Sequence, residues 1–287
     1  MPCYHPWAAY RTPHGITAKL KAGDEDLGTM LMPCRQCIGC RLKRAKEWAL
    51  RVMHESKMHS SSCFLTLTYA PENLPANGSL HYPDVQKFLR RLRKKYPEQT
   101  IRFYLCGEYG EINDRPHYHI CLFGLFPEDS TPTQLLNKNF KYYNSPTLAA
   151  LWPQGHITLS NLTPETAAYT AGYVLQKLTG ALGETHYGER VPPFNRMSLK
   201  PGIAAEWLHE FHTDVYNYDH VVVNGKPGRP PGYYDQQLKK SDAYRLDELL
   251  EQRANQARSN VAEHTPARLE ARETVALAKY NLSKRTL

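Results

Sequence analysis

The chain has 287 residues, of which 41% are hydrophobic and 11% aromatic, and its formal net charge is +8. This is enough apolar material for one large domain or two small ones. No run of about 18 apolar residues occurs, so we expect neither a membrane span nor a membrane partner. The N-terminal stretch MPCYHPWAAYRTPHG is polar and interrupted by proline, unlike a signal peptide, which predicts a cytosolic protein with reduced thiols.

Three closely spaced cysteines precede the first predicted helix. Cys34, Cys37 and Cys40 stand in CRQCIGC, and thiols at this spacing in a cytosolic chain suggest a metal site. A closed tetrahedral zinc site needs a fourth ligand, which Cys3 or His5 can supply. Two other interpretations stay open: an iron–sulfur cluster, or reduced, partly buried thiols at the start of the helix CRLKRAKEWALRVMHE.

The positive charge is concentrated in two segments. Arg35 to Lys57 contains seven Lys or Arg residues, and Lys87 to Arg102 contains seven more. Such clusters are typical either of nucleic-acid-binding surfaces or of solvated helix faces. YPDVQKFLRRLRKKYP has apolar residues at i, i+3, i+4 and i+7, as an amphipathic helix does: Val85, Phe88, Leu89 and Leu92. Its opposite face supplies the predicted contacts to nucleic-acid phosphates: Lys87, Arg90, Arg91, Arg93, Lys94 and Lys95.

Three segments have the alternating, β-branched and aromatic pattern of strands. CFLTLTY, over Cys63–Tyr69, predicts a buried strand. TIRFYLCGEYG and RPHYHICLFGLF predict a pair of strands joined by a polar turn. The cysteines within these strands are predicted to be core residues: Cys63, Cys106 and Cys121.

A histidine pair begins the last of these strands. His117 and His119 are two residues apart, so both imidazoles point to the same face of a strand. Histidines on a strand are more often satisfied by neighbours than bound to metal. However, an antiparallel turn over GEINDR would bring Glu108 beside them. Two imidazoles and one carboxylate leave coordination positions open, as a catalytic metal requires. Glu111 is a nearer carboxylate, but it falls in the predicted turn.

The segment TPETAAYTAGYVLQKLTG predicts a helix with Thr163 as its cap and Gly180 at its end. Tyr169, Tyr173 and Lys177 are spaced i, i+4, i+8 and share one helical face. Taken alone, the tyrosines are core residues with solvated hydroxyls. Beside a metal that polarises a phosphate, however, a tyrosine can act as a nucleophile although its ordinary pKa is near 10. A lysine can stabilise the phenolate or the leaving 3′ oxygen.

FLTLTY, RPHYHICLFG and YTAGYVLQK, in this order, resemble the three motifs of the HUH endonucleases. With PCRQCIGCRLKRAKEWALR added, the stretch from Cys34 to Lys177 is similar to the replication-initiation proteins of microviruses of the gokushovirus branch. The resemblance implies rolling-circle replication on Mg²⁺ or Mn²⁺. Single-stranded or origin DNA would be the substrate, with a host helicase and polymerase as partners in the cytoplasm of the bacterial host.

The resemblance also implies roles for individual residues. His117 and His119 become metal ligands, with a third ligand at Glu108, and Tyr169 and Tyr173 become nucleophiles, with Lys177 following them. Tyr118 departs from the family pattern, which has a bulky apolar residue between the histidines, and we expect its ring to pack away from the metal.

We therefore predict an α+β fold: a central antiparallel sheet of the HUH endonuclease or ferredoxin-like palm type, flanked by helices. A cysteine-containing N-terminal segment and a helical C-terminal tail complete it. The predicted divisions are a cysteine-rich segment with a basic helix (1–60), the nuclease core (61–180), an extension ending in the linker GKPGRPPGYY (181–234) and the tail (235–287). The predicted function is DNA nicking and strand transfer. The alternatives are a non-enzymatic, zinc-stabilised nucleic-acid-binding module and an HUH plasmid initiator or transposase.

Overall fold

The structure, a computed structural model, describes residues 3–110, 113–133, 141–172, 180–223, 225–259 and 261–284. The chain divides into two compact units. One combines Met1–Arg44 with Gln236–Leu287, and the other is Ala45–Asp235. The domain boundaries predicted from the sequence stay predictions.

The described strands are, in chain order, β1 (Trp7–Thr12), β2 (Gly15–Thr17), β3 (Thr29–Met32), β4 (Ser62–Tyr69), β5 (Arg102–Tyr109), β6 (Pro116–Phe123), β7 (Thr131–Pro132), β8 (Tyr142–Asn144), β9 (Gly155–Asn161), β10 (Phe194–Met197), β11 (Val221–Val223) and β12 (Lys226–Gly228). The described α-helices are α1 (Ile38–Ser56), α2 (Tyr82–Lys95), α3 (Pro146–Leu151), α4 (Pro164–Gly172), α5 (Ala181–Tyr187), α6 (Ala205–Tyr218), α7 (Gly232–Ser241), α8 (Ala243–Arg258) and α9 (Pro266–Lys284).

A seven-stranded antiparallel sheet organises the unit Ala45–Asp235, with the strand order β10-β5-β6-β4-β9-β8-β7. β6, which carries the histidine pair, lies between β5 and β4. The smaller sheet of the other unit has the order β2-β1-β3, and α8 and α9 form the C-terminal tail. The predicted fold class, an antiparallel sheet with flanking helices, a cysteine-containing N-terminal segment and a helical tail, is confirmed.

One face of the large sheet is covered by α2. Leu65 and Leu67 of β4 point to this face, where they join the buried side chains that the helix contributes: Val85, Phe88, Leu89 and Leu92. The apolar stripe predicted from the sequence is thus the buried stripe of α2. The buried cysteines Cys63, Cys106 and Cys121 are also core residues, as predicted.

The opposite face is covered only in part. Val52 of α1 and Ala167 of α4 pack there in one cluster with Phe64 of β4. Farther along β4, Thr66 and Thr68 point to the same face, because side chains alternate along a strand, and both are partly exposed. This polar part of the face is therefore partly accessible to solvent.

A buried ion pair joins α1 to β5. Arg102 donates from Nε to Glu55 Oε1, and the backbone N–H of Ala204 donates to Glu55 Oε2 at 2.6 Å. Both side chains are almost completely buried. Because a buried charge is tolerated only when it is paired and hydrogen-bonded, these contacts fix the chain before α6 against the sheet.

The segment GKPGRPPGYY, which was predicted as a linker, ends in a packed position. Tyr234 is fully buried, its hydroxyl lies 2.6 Å from His54 Nδ1, and its ring stacks on Trp207. Proline and glycine indicate turns in this segment, but they do not reveal that the tyrosine after them is a core residue. Within the described part of the chain, no helix is long and apolar enough to span a membrane.

Candidate metal centre

Strand register brings the predicted metal ligands together. Glu108 of β5 lies directly opposite His117 of β6, and Thr66 of β4 lies opposite His119. Directly paired residues of an antiparallel sheet point to the same face. All four side chains therefore lie on the face that α4 partly covers.

Both histidines direct the same ring atom at one carboxylate oxygen. Nε2 of His117 is 2.5 Å from Glu108 Oε1, and Nε2 of His119 is 3.1 Å from it. One ligand atom from each of the three residues lies within 4.8 Å of the others. His117 is the most accessible of the three, with 16% of its side chain exposed. Glu108, His117 and His119, called the trio below, thus form a compact group of donor atoms on one face of the sheet.

The other ring nitrogen of each histidine, Nδ1, has a hydrogen-bond partner of its own. Nδ1 of His117 lies 3.1 Å from the carbonyl oxygen of Arg115. Because a carbonyl only accepts, this nitrogen carries the proton and donates it. Nδ1 of His119 lies 2.9 Å from Thr66 Oγ1, which can accept in the same way. Bonds of this kind fix the ring orientation of metal-binding histidines and leave Nε2 as the ligand atom.

The electrostatics of the trio favour a proton or a cation between the carboxylate and the imidazoles. Burial opposes ionisation of Glu108, but hydrogen bonds from His117 and His119 outweigh it and lower the pKa of the carboxyl. Burial also opposes protonation of His117, but Glu108 outweighs it and raises the pKa of the imidazole. Burial lowers the pKa of His119. An ionised carboxylate and a lone pair at 2.5 Å repel each other unless a proton or a metal cation lies between them.

The donor set fits a divalent cation. The second oxygen of the carboxylate, Glu108 Oε2, is buried and has no hydrogen-bond partner among the described residues. Carboxylates are common ligands of Mg²⁺ and Mn²⁺, and imidazoles are more typical ligands of transition-metal ions. Glu111, the alternative carboxylate, lies outside the described residues.

Tyr169 of α4 lies beside this trio. Its ring meets that of His119 edge-on, with 5.0 Å between the centroids, and it is 38% exposed. Thr163 caps α4 as predicted, accepting from the backbone N–H of Thr166 at 3.3 Å. Tyr173 and Lys177 lie outside the described residues, so their roles stay predictions.

Tyr118, which departs from the family pattern, points to the other face of the sheet. It is fully buried, and its hydroxyl accepts a hydrogen bond from the backbone N–H of His81 at 2.7 Å. Its ring therefore packs away from the two histidines, as expected.

Comparisons with known proteins show which proteins this chain is similar to. The replication-associated protein VP4 of Bdellovibrio phage phiMH2K is 31% identical over 250 residues, 84% of this chain and 78% of the relative. The replication-associated protein ORF2 of Spiroplasma virus 4 is 33% identical over 244 residues, 79% of this chain and 74% of the relative. The chain belongs to the family of phage replication-associated proteins.

A protein-family model, described as replication-associated protein ORF2/G2P, matches residues 62–178. That span contains the trio, α2 and α4. The replication-associated protein ORF4 of Chlamydia phage 1 is 26% identical over 216 residues, 73% of this chain and 54% of the relative. No solved structure gives a significant match.

The predicted DNA-binding residues of α2 are not beside the trio, because α2 covers the opposite face of the sheet. Arg91 donates from Nε to the carbonyl of Leu151 at 2.9 Å, which ties α2 to α3. Arg93 donates from Nη2 to the carbonyl of Ile101 at 3.3 Å. The other members of the predicted set are exposed: Lys87, Arg90, Lys94 and Lys95. Their DNA contacts stay predictions.

The cysteines of CRQCIGC and Cys3 are brought together in the other unit. His5, the alternative fourth ligand, instead places Nε2 2.6 Å from Glu273 Oε2.

Thr66 is the member of the site that the motifs did not reveal. In FLTLTY, Thr66 and Thr68 alternate with Leu65 and Leu67, so the pattern places both hydroxyls on the less apolar face. That alternation was the available signal. It could not show that one hydroxyl would contact a histidine, because the register of β4 against β6 is not visible in the sequence.

Proposed function

We propose that this chain is a replication initiator that nicks and rejoins single-stranded origin DNA. A tyrosine of the α4 segment would be the nucleophile, and a divalent cation would bind to Glu108, His117 and His119. One observation carries the proposal: both Nε2 atoms converge on one oxygen of a buried carboxylate whose second oxygen has no partner among the described residues.

A divalent cation held by these three residues, Mg²⁺ or Mn²⁺, would supply Lewis acidity at the scissile phosphate. The protein would contribute the positions of the groups. Arg115 and Thr66 hold the histidine rings through Nδ1. The hydrophobic contacts of α4 with the sheet hold Tyr169 next to His119.

The proposed cleavage is an exchange of one phosphodiester for another. The phenol oxygen of Tyr169 or Tyr173 forms a bond to phosphorus and loses its proton. The bond between phosphorus and the 3′ oxygen breaks, and that oxygen takes up a proton and leaves as a 3′-OH. Lys177 would stabilise the phenolate or the leaving oxygen. Because the phosphotyrosine bond replaces the broken ester, rejoining requires no ATP.

Two tyrosines would allow successive rounds. One would hold the 5′ end while a polymerase extends the free 3′-OH, and the other would cleave the regenerated origin. The liberated 3′-OH would then attack the first phosphotyrosine and close the displaced circle. This scheme requires a host helicase and polymerase and places the protein in the cytoplasm of its bacterial host.

The DNA contacts divide into two regions. Single-stranded DNA would reach the trio from the side of His117, its most accessible member, near Thr66 and Thr68. The exposed basic residues of α2, on the opposite face, would bind DNA farther from the cleavage point, such as a hairpin or duplex arm. The basic residues that follow Cys40 would add further phosphate contacts.

The test is formation of a covalent adduct. Single-stranded oligonucleotides that tile both strands of the genome encoding this chain are incubated with the protein and Mn²⁺, then separated on a denaturing gel. Label at the 3′ end should remain with the protein, whereas label at the 5′ end should appear on a shorter strand that a polymerase can extend. EDTA should abolish both products.

His117→Ala should abolish the adduct and leave DNA binding within a few-fold, because the binding depends mainly on Lys and Arg contacts to phosphates. His212→Ala is the matched control: this histidine is exposed on α6, its Nδ1 contacts a carbonyl of its own helix, and the variant should form the adduct. A mobility shift without any adduct would instead favour the non-enzymatic zinc-stabilised module. Normal nicking by His117→Ala at saturating Mn²⁺ would contradict the proposal.

A further inference from the structure

Four cysteines form a second group of potential metal ligands, in the unit that contains both chain termini. The cysteine cluster, Cys3, Cys34, Cys37 and Cys40, has all four Sγ atoms within 4.8 Å of one another. The cysteines are free, and Sγ of Cys34 lies 4.0 Å from Sγ of Cys40. A disulfide would require about 2.05 Å. The sulfurs are therefore close together without being bonded.

Backbone N–H groups point at these sulfurs. Tyr4 N donates to Cys37 Sγ at 3.3 Å, Cys34 N donates to Cys3 Sγ at 3.2 Å, and Cys37 N donates to Cys34 Sγ at 3.3 Å. A neutral thiol is a weak acceptor, whereas a thiolate is a stronger one because it is charged. The N–H groups are thus arranged for sulfurs that carry negative charge.

The turn between Cys34 and Cys37 is held in an unfavourable conformation. Arg35 has a φ of 64°, in the left-handed region that residues other than glycine rarely adopt. Such residues persist where the surrounding structure determines the backbone, often at ligand-binding loops. Here the turn presents the N–H of Cys37 to the sulfur of Cys34.

We propose that the cysteine cluster binds one zinc ion in a closed structural site. Zinc–sulfur bonds of about 2.3 Å in a tetrahedron separate the sulfurs by roughly 3.8 Å, close to the spacing of Cys34 and Cys40. An iron–sulfur cluster places iron and sulfide between the cysteines and would hold their sulfurs farther apart. The fourth ligand is Cys3, whose Sγ lies within 4.8 Å of the other three sulfurs, whereas His5 contacts Glu273.

The zinc ion stabilises the small N-terminal sheet. Cys3 precedes β1 and Cys34 follows β3, so the ion closes the chain segment that contains all three strands. Between residues 4 and 33, all of which the structure describes, only Ala9 is buried. Ile16 and Leu31 are each 55% exposed. A segment with so little apolar core needs a cross-link or a metal to fold, and metal binding supplies folding free energy directly.

The experiment measures metal content and local protection rather than nicking. The full-length chain, purified under reducing conditions, should contain about one zinc per chain by elemental mass spectrometry. Replacement of zinc by Co²⁺ should produce thiolate-to-cobalt charge-transfer absorption and the intense visible bands of tetrahedral cobalt. Removal of zinc should raise the amide exchange of β1 and β3 at least tenfold, while β4 to β6 remain protected.

Two variants and a control identify the ligands. Cys3→Ser should lose the zinc or bind it at least tenfold more weakly, and His5→Ala should retain it. Cys63→Ala, which removes a buried thiol of the large sheet, should also retain it. Zinc-free wild-type protein that gives no charge-transfer band with Co²⁺ would overturn the proposal. Stoichiometric iron with acid-labile sulfide would show an iron–sulfur site instead of zinc. Loss of zinc in His5→Ala, with zinc retained in Cys3→Ser, would overturn the assignment of Cys3 as a ligand.

Discussion

Thr66 and His119 are joined across the β4–β6 pair, with 2.9 Å between Thr66 Oγ1 and His119 Nδ1. The two residues are directly opposite in the sheet register. With this outer nitrogen bonded, Nε2 of the same ring faces Glu108 Oε1 at 3.1 Å. The hydroxyl is therefore a positioning group for a proposed metal ligand rather than a ligand itself.

Thr66→Val should weaken Mn²⁺ binding by about 10- to 100-fold, the usual effect of removing a partner of a metal-binding histidine. Mn²⁺ affinity can be followed by electron paramagnetic resonance. Thr66→Ser should restore binding because it retains the hydroxyl. Thr68→Val is the matched control, since the Thr68 hydroxyl donates to the carbonyl of His156 at 3.4 Å. If Thr66→Val binds Mn²⁺ as tightly as wild type, Thr66 does not position His119 for the metal.

The basic face of α2 gives a prediction that depends on DNA length. Replacement of Arg90, Lys94 and Lys95 by Gln should leave cleavage of a short single-stranded oligonucleotide unchanged, because α2 covers the face opposite the trio. Binding of a longer hairpin should weaken, and the slope of log affinity against log salt should become shallower by about 2 to 3 for three phosphate contacts.

Arg91 is kept in that experiment because its contact with Leu151 joins two helices. The slopes come from binding isotherms measured over a range of salt concentrations. An unchanged slope for the hairpin would place α2 away from the DNA altogether, and loss of short-oligonucleotide cleavage would show that the two faces do not act separately.

The Glu55–Arg102 pair should make stability depend on acid pH. Burial opposes ionisation of Glu55, but hydrogen bonds from His59, Ala204 and Arg102 outweigh it, so its folded pKa lies below the ordinary 4.5. A depressed pKa stabilises the folded state fully above the unfolded pKa, and this contribution is lost as the pH falls through the folded pKa.

Glu55→Gln should therefore destabilise the protein by about 3–5 kcal/mol at pH 7, as breaking a buried pair does. The difference from wild type should shrink as the pH falls below 4.5. Urea unfolding at several pH values measures it. Glu206→Gln, at an exposed position in the first turn of α6, should follow wild type throughout. A difference that stays constant down to acid pH would mean that Glu55 does not titrate as argued.

Much of the fold could be predicted because its patterns are local. The alternation in CFLTLTY predicts a strand over Cys63–Tyr69, and the structure has Ser62–Tyr69. The i, i+3, i+4, i+7 spacing from Val85 identifies the buried stripe of α2. The spacing of His117 and His119 places two imidazoles on one face, and the intervening turn returns the chain beside Glu108.

The features that could not be predicted depend on contacts between segments that are far apart in the sequence. An amphipathic pattern shows which side of α2 is buried, but the sheet face it covers depends on strand order and on the hand of the crossover from β4 to β5. Likewise, the sequence allowed Cys3 or His5 beside CRQCIGC. The choice depends on how the N-terminal residues fold back on that motif: Cys3 Sγ lies within 4.8 Å of the other three sulfurs, whereas His5 contacts Glu273.

The tyrosines give the most direct test of the nicking proposal. Tyr169→Phe and Tyr173→Phe should each still form one covalent adduct with the cleaved oligonucleotide but fail in successive rounds, and the double variant should form none. Each substitution keeps the ring, so packing changes little. Lys177→Ala should slow cleavage without changing which tyrosine carries DNA. Tyr218→Phe, at an exposed position on α6, should behave as wild type.

The decisive measurement is the identity of the residue that carries the DNA. Trypsin releases residues 142–177 as one peptide, because no Lys or Arg lies between Lys141 and Lys177. After nuclease trimming of the adduct, fragmentation of this peptide in a mass spectrometer should place a nucleotide phosphate on Tyr169 or Tyr173. An adduct on Tyr173 alone, persisting unchanged in Tyr169→Phe, would make this a one-tyrosine enzyme. Nucleotide on any residue outside residues 164–177, or cleavage that leaves no protein-bound phosphate, would contradict the account.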